Sequence, residues 1–222
     1  MKKKKTLWVI LLLIIILIVI LLGLTIRKMI IISQIENKIS NYINKTNYHI
    51  SSYSHYGNTQ TIIDYYTKEK KAKLTLISKV NEEERKLINF FEGDKTNTYI
   101  ESNGEKIAIL DSNGLPSKMT IVNPTAYNNN VWDLFTYCFG ISVHSTKLNE
   151  KDCYLVKIGK DTEMYLEKDT GLMIKNKSGT NIDENGNQSS ILAEFKYEFD
   201  KVSDADLTKP NLADYKIQEY NT

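Results

Sequence analysis

The chain is poor in the residues from which catalytic centres are usually built. It has three histidines and two cysteines among 222 residues. His49, His55 and His144 occur in no H-E-x-x-H arrangement, and no G-x-S-x-G, phosphate-loop or G-x-G-x-x-G motif is present. The sequence is therefore read as that of a non-enzyme without a cofactor. His49 and His55 face the same side of one extended strand but stand about 20 Å apart, too far to share a metal. Charge of either sign is missing from Thr6–Ile26, and no acidic residue precedes its end. Cysteine is absent until Cys138, which excludes a lipoprotein signal. The end of the run, Gly23-Leu-Thr-Ile-Arg-Lys, has no small-residue cleavage site.

What is present fits a retained membrane span. Residues Thr6–Ile26 are continuously apolar apart from Thr6, Gly23 and Thr25. At about 1.5 Å per residue they cover roughly 31 Å, the thickness of a bilayer's hydrocarbon core. Lys2, Lys3, Lys4 and Lys5 outweigh Arg27 and Lys28 as a topology signal. The positive-inside bias then puts the N-terminus in the cytoplasm and the remainder outside a plasma membrane. The expected segments are a tail over 1–5, a transmembrane helix over 6–26, a juxtamembrane helix over 27–46 and an extracytoplasmic domain over 47–222. The whole chain carries +2, with 29 basic and 27 acidic residues. Six of the basic ones flank the span, so residues 29–222 hold 23 against 27, a net −4. Such a domain is a poor nucleic-acid binder, because it lacks the clustered cations that neutralise phosphates.

Beyond the span, Ile32, Ile35, Ile39, Tyr42 and Ile43 recur at helical spacing, which predicts a helix to about Asn44 that packs on the domain. From about Tyr48 the pattern changes to strands. Gly57-Asn58, Gly93-Asp94, Asn103-Gly104, Asn113-Gly114 and Asn185-Gly186 supply two-residue hairpin turns. Strands are expected over 50–56, 59–66, 71–80, 86–92, 96–101, 106–111, 141–148, 153–158, 163–167, 172–177 and 191–200. Glu82-Glu83-Glu84 reads as a solvated turn. One helix interrupts the strands at 130–138, with Val131, Leu134, Phe135 and Cys138 on one face and Asn128–Asn130 as caps. The fold class is α+β, mainly antiparallel β. The expected form is a curved half-barrel of about ten strands in a meander, its concave face covered by helices.

The C-terminal third adds motifs: Asp152-Cys-Tyr-Leu-Val-Lys-Ile, Met164-Tyr-Leu-Glu-Lys-Asp-Thr-Gly-Leu-Met-Ile-Lys, Phe195-Lys-Tyr-Glu-Phe-Asp-Lys-Val and Lys209-Pro-Asn-Leu-Ala-Asp-Tyr. Over about Lys151–Tyr215 the chain resembles the lipoprotein-carrier superfamily typified by LolA and LolB, and the similar domains of Gram-positive bacteria. The resemblance implies a half-barrel whose helices plug an apolar cavity able to hold acyl chains. Trp132, Phe135, Phe195, Tyr197 and Phe199 are the candidate lipid-lining residues. The span departs from the soluble or lipid-anchored carriers and argues against a shuttle. Some Gram-positive members bind proteins in sporulation or germination. An envelope interaction module with a cell-wall, sporulation or signalling partner is therefore the alternative.

Three further groups have ordinary readings. Cys138 and Cys153, both outside the cytoplasm, are a candidate disulfide, the alternative being two buried free thiols. Asp183-Glu-Asn-Gly-Asn187 begins like a calcium loop but lacks the later bidentate Glu, so an Asx-rich turn is expected. Asp161, Glu163, Glu167 and Asp169 suit an exposed strand and its turn.

Overall fold

The computed structural model describes residues 2–81, 83–112, 121, 130–182 and 188–218. Helix α1, Lys2–Ile43, is unbroken. Between Leu7 and Leu24 its apolar side chains are exposed along their whole length, and burial begins at Thr25. This part is long and apolar enough to cross a membrane. Past Arg27 the same helix becomes a core element, with Ile32, Ile35 and Ile39 fully buried. Tyr42 packs at the edge of this seam, whereas Ile43, expected on the packed face, is exposed.

Among the described residues, twelve strands form one open, curved sheet. The first meander runs β1 Asn47–Tyr56, β2 Thr59–Lys68, β3 Lys71–Val80, β4 Glu83–Glu92, β5 Lys95–Ser102 and β6 Glu105–Ser112. Helix α2, Val131–Gly140, follows. The second meander is β7 Ile141–Leu148, β8 Lys151–Ile158, β9 Thr162–Glu167, β10 Met173–Ile182 and β11 Gln188–Phe199. Antiparallel pairing of β11 with β1 joins the two in the middle of the sheet. A short β12, Lys216–Gln218, adds to β6 in parallel. The expected curved, mainly antiparallel sheet covered by helices is observed, and its strands run in two meanders and not in one. The long β6–β7 connection carries the chain to the far edge, so β7 does not neighbour β6. Glu83 and Glu84 belong to β4 and not to a turn. The turn chemistry holds at Gly57, Gly93, Asn103 and Gly104, all with positive φ. Asn113-Gly114 and Asn185-Gly186 lie outside the described residues.

The two faces of the sheet carry different cores. On the inner face, Ile32, Ile35 and Ile39 of α1 and Leu134 and Cys138 of α2 pack with Ile50, Tyr65, Phe91, Val156 and Leu166. On the outer face, Ile88, Phe90, Tyr99 and Ala108 form a second cluster under Tyr215. Adjacent Phe90 and Phe91 thus serve opposite cores, as period-two alternation requires. The C-terminal tail straps this end of the sheet. Its Asp204 pairs with Lys68 at 2.9 Å, Lys209 with Glu92 at 3.5 Å, and the Tyr215 hydroxyl donates to Glu101.

Candidate functional site

Alternation along β11 places Phe195, Tyr197 and Phe199 on the inner face, opposite Ser52, Ile50 and Tyr48 of β1. Their rings form a ladder, with successive centroids 6.4 Å apart. Tyr42, at the end of α1, lies against Phe199 at 4.6 Å. The β1–β11 register reaches Phe199, but the β10–β11 register stops at Glu194. Beyond that point β10 has turned away, and a cleft of about 590 Å³ opens between β11, the β9–β10 turn and the end of α1. Tyr42, Leu172, Ile174 and the three β11 aromatics supply its apolar wall. Lys151, Glu167 and Glu194 border it, with Lys151 paired to Glu167 at 2.7 Å and Glu194 to Lys175 at 2.9 Å. The Tyr197 hydroxyl donates to the Met173 carbonyl at 2.9 Å, and burial pushes its phenol far above the ordinary range, so it stays a neutral donor. The volume falls within the roughly 300–1,000 Å³ of typical ligand pockets.

The other two aromatic candidates are elsewhere. Asn130 caps α2, its side chain accepting from the Trp132 and Asp133 amides at 2.7 and 3.0 Å. Leu134 and Cys138 then face the core, while Trp132 is 77 % exposed and Phe135 half-buried beside it. Neither lines the cleft. Val131, expected on the inward face, is exposed as well. At the other end of α2, Lys28 Nζ donates to the carbonyls of Cys138 (3.1 Å) and Ile141 (2.5 Å), fastening this helix to α1.

The candidate disulfide is not formed. Cys138 and Cys153 are both free and fully buried. Tyr154 and Val156 of β8 join the inner core, so alternation turns Cys153 to the opposite face, away from Cys138. Burial pushes the Cys138 thiol up to about 11 and raises Cys153 too, which keeps both protonated and unreactive at neutral pH.

One polar cluster was not foreseen. On the outer face, His49 Nε2 meets Asp64 at 3.1 Å and Nδ1 meets Glu198 at 3.2 Å, with the ring stacked 4.0 Å over Tyr66. The signal lay in the Gly57-Asn58 turn, which fixes the register and so sets His49 opposite Tyr66, with Asp64 diagonal to it. The Asp64 hydrogen bond raises the imidazole above its usual value, burial opposing and Glu198 assisting. A raised histidine stabilises fully below the unfolded value of about 6.5, and this increment is lost as pH rises through the folded value. His49→Gln is therefore expected to lower stability by roughly 0.5–1 kcal/mol in mildly acid solution and by less in alkali. Denaturant unfolding of both proteins across that window checks this.

Among the described residues, no group of three or more His, Cys, Asp or Glu side chains is placed to hold a metal. Asp183–Asn187 lies outside the described residues.

Fold and site together define a helix-tethered, open antiparallel sheet with an aromatic cleft at its central seam. No protein-family model and no curated protein sequence matches the chain. Among solved structures it is similar to an uncharacterized conserved protein from Thermus thermophilus. The TM-score is 0.41 and the identity 10 %, over 85 % of this chain and 98 % of that one.

Proposed function

We propose that the chain is a single-pass plasma-membrane protein, its N-terminus cytoplasmic, whose outer domain binds an amphiphile without catalysis. The ligand is a lipid, an acyl chain or the acylated end of a lipoprotein. The observation that carries this reading is the cleft with Tyr42, Phe195, Tyr197 and Phe199 in its wall and charged residues at its border. Aromatic rings offer a large apolar area, and the bordering Lys151 and Glu167 can meet a polar headgroup. The lipoprotein-carrier resemblance points the same way. Native mass spectrometry of the full chain, extracted in mild detergent, should show a co-purifying lipid mass. Ile174→Trp, which fills the cleft, should cut its occupancy about tenfold while leaving the melting temperature in place. A wild-type protein free of lipid, or equal occupancy in the variant, would overturn the proposal.

A second reading, an envelope protein partner, is favoured by β7. This strand ends the sheet, with β8 on one side and no strand on the other among the described residues. Eight residues of open edge suit strand addition. A photocrosslinker at Ser145 should then capture one dominant partner in the native host that a crosslinker at Asn103 does not. Equal or empty capture at both sites counts against it.

A further inference from the structure

Helix α2 is apolar on the face it turns away from the domain. Trp132, Phe135 and Phe139 follow one another at helical spacing, and their rings touch in sequence at 6.3 and 6.4 Å. Trp132 and Phe139 are 77 % and 63 % exposed, and Val131 beside them is 71 % exposed. Asp133 is the one charged residue of the helix. Leu134 and Cys138 already satisfy the core, so packing within the domain does not account for the aromatic row.

The position of α2 identifies what covers this row. Its C-terminal end is fixed by Lys28, two residues past the last apolar residue of the Thr6–Ile26 run. Phe139 follows directly on Cys138, whose carbonyl Lys28 holds, so it lies near the end of the apolar run of α1. Ile26 and Ile30 of α1 are exposed at the same level. The apolar surface of the span thus continues onto α2. Tryptophan and other aromatic rings favour the zone between acyl chains and headgroups, and an amphipathic helix there buries its apolar face about 5–10 Å deep.

We propose that α2 is a second membrane contact, inserting Trp132, Phe135 and Phe139 into the interfacial zone of the leaflet from which α1 emerges. This inference rests on the reading of α1 as a membrane span. With α1 and α2 both engaged, the domain keeps one face toward the bilayer and its tilt is restricted.

The two tryptophans, Trp8 in the span and Trp132 on α2, allow a test in the full chain. The protein is reconstituted in phosphatidylcholine nanodiscs carrying lipids brominated on the upper acyl chain. Trp132→Phe leaves Trp8 as reporter, and Trp8→Phe leaves Trp132. Both should lose at least about half of their emission to bromolipid, and aqueous iodide should leave Trp132 largely unquenched. If Trp8 is quenched by bromolipid and Trp132 only by iodide, the inference fails while the span reading stands. If Trp132 is shielded from both quenchers, a protein surface or a second copy covers α2, and the inference again fails. If Trp8 itself escapes bromolipid, the span reading fails, and the inference falls with it.

Discussion

Gly171→Ala is expected to destabilise the domain by about 2–4 kcal/mol, a large effect for one methyl group. Two causes act together. Gly171 has φ of +77°, a region that L side chains rarely adopt. A Cβ there would also stand 2.7 Å from the Ile35 carbonyl oxygen and 3.0 Å from Ile39 Cγ1. The carbonyl belongs to the backbone of α1 and cannot rotate aside. One bond ties the β9–β10 turn to this helix, and two more within the turn fix its shape. Lys38 donates to the Lys168 carbonyl, the Gly171 amide to Glu167 at 2.8 Å and the Leu172 amide to Thr170 Oγ1 at 3.2 Å. Urea unfolding of the full chain in detergent measures the loss. Ile39→Ala, at a fully buried position and costly in its own right, separates the causes when Gly171→Ala is measured against it. It removes the side-chain contact and leaves the carbonyl, so Gly171→Ala should cost nearly as much in that background. A cost near zero there would show that the Ile39 side chain was the cause.

Ile35→Ala is expected to lower stability by about 2–5 kcal/mol, as for other fully buried large-to-small changes. Ile35 is 1 % exposed and sits between Ile32 and Ile39 in the seam that ties the tether to the sheet. The loss should fall on the domain and spare the span, since Leu7–Leu24 make no part of that core. Protease cleavage near Thr46 should accelerate in the variant while membrane fractionation stays unchanged. An unaltered cleavage rate would mean that the sheet folds independently of α1.

Much of the fold was written in local signals. Two-residue turns at Gly57-Asn58 and Asn103-Gly104 fixed both the hairpins and their registers, because the strands on either side must pair symmetrically about them. The seam of α1 was legible because isoleucines recur at helical spacing from Ile32 through Ile35 to Ile39. What escaped was long-range. Nothing in Lys216-Ile-Gln218 marks a strand, since all three are exposed and their pairing with β6 is parallel. The β1–β11 closure and the departure of β10 at Glu194 depend on where distant segments meet. The cleft was half legible for the same reason. The β11 aromatics Phe195, Tyr197 and Phe199 line it, since alternation sets all three on one face. Trp132 and Phe135 do not line it, because α2 is apolar on both faces and sequence alone does not say which face meets the sheet.

The continuity of α1 has a dimensional consequence. Tyr42, in the wall of the cleft, lies sixteen residues beyond Ile26 on one unbroken helix. At about 1.5 Å per residue the helix is a ruler of roughly 24 Å, or about 18 Å at the steepest ordinary tilt of some 40°. Headgroups reach only about 5–7 Å above the hydrocarbon. A lipid seated in the membrane therefore falls short of the cleft by a wide gap. With the tether as a fixed gauge, the cleft opens well above any bilayer that α1 spans, out of reach of a lipid still seated in it.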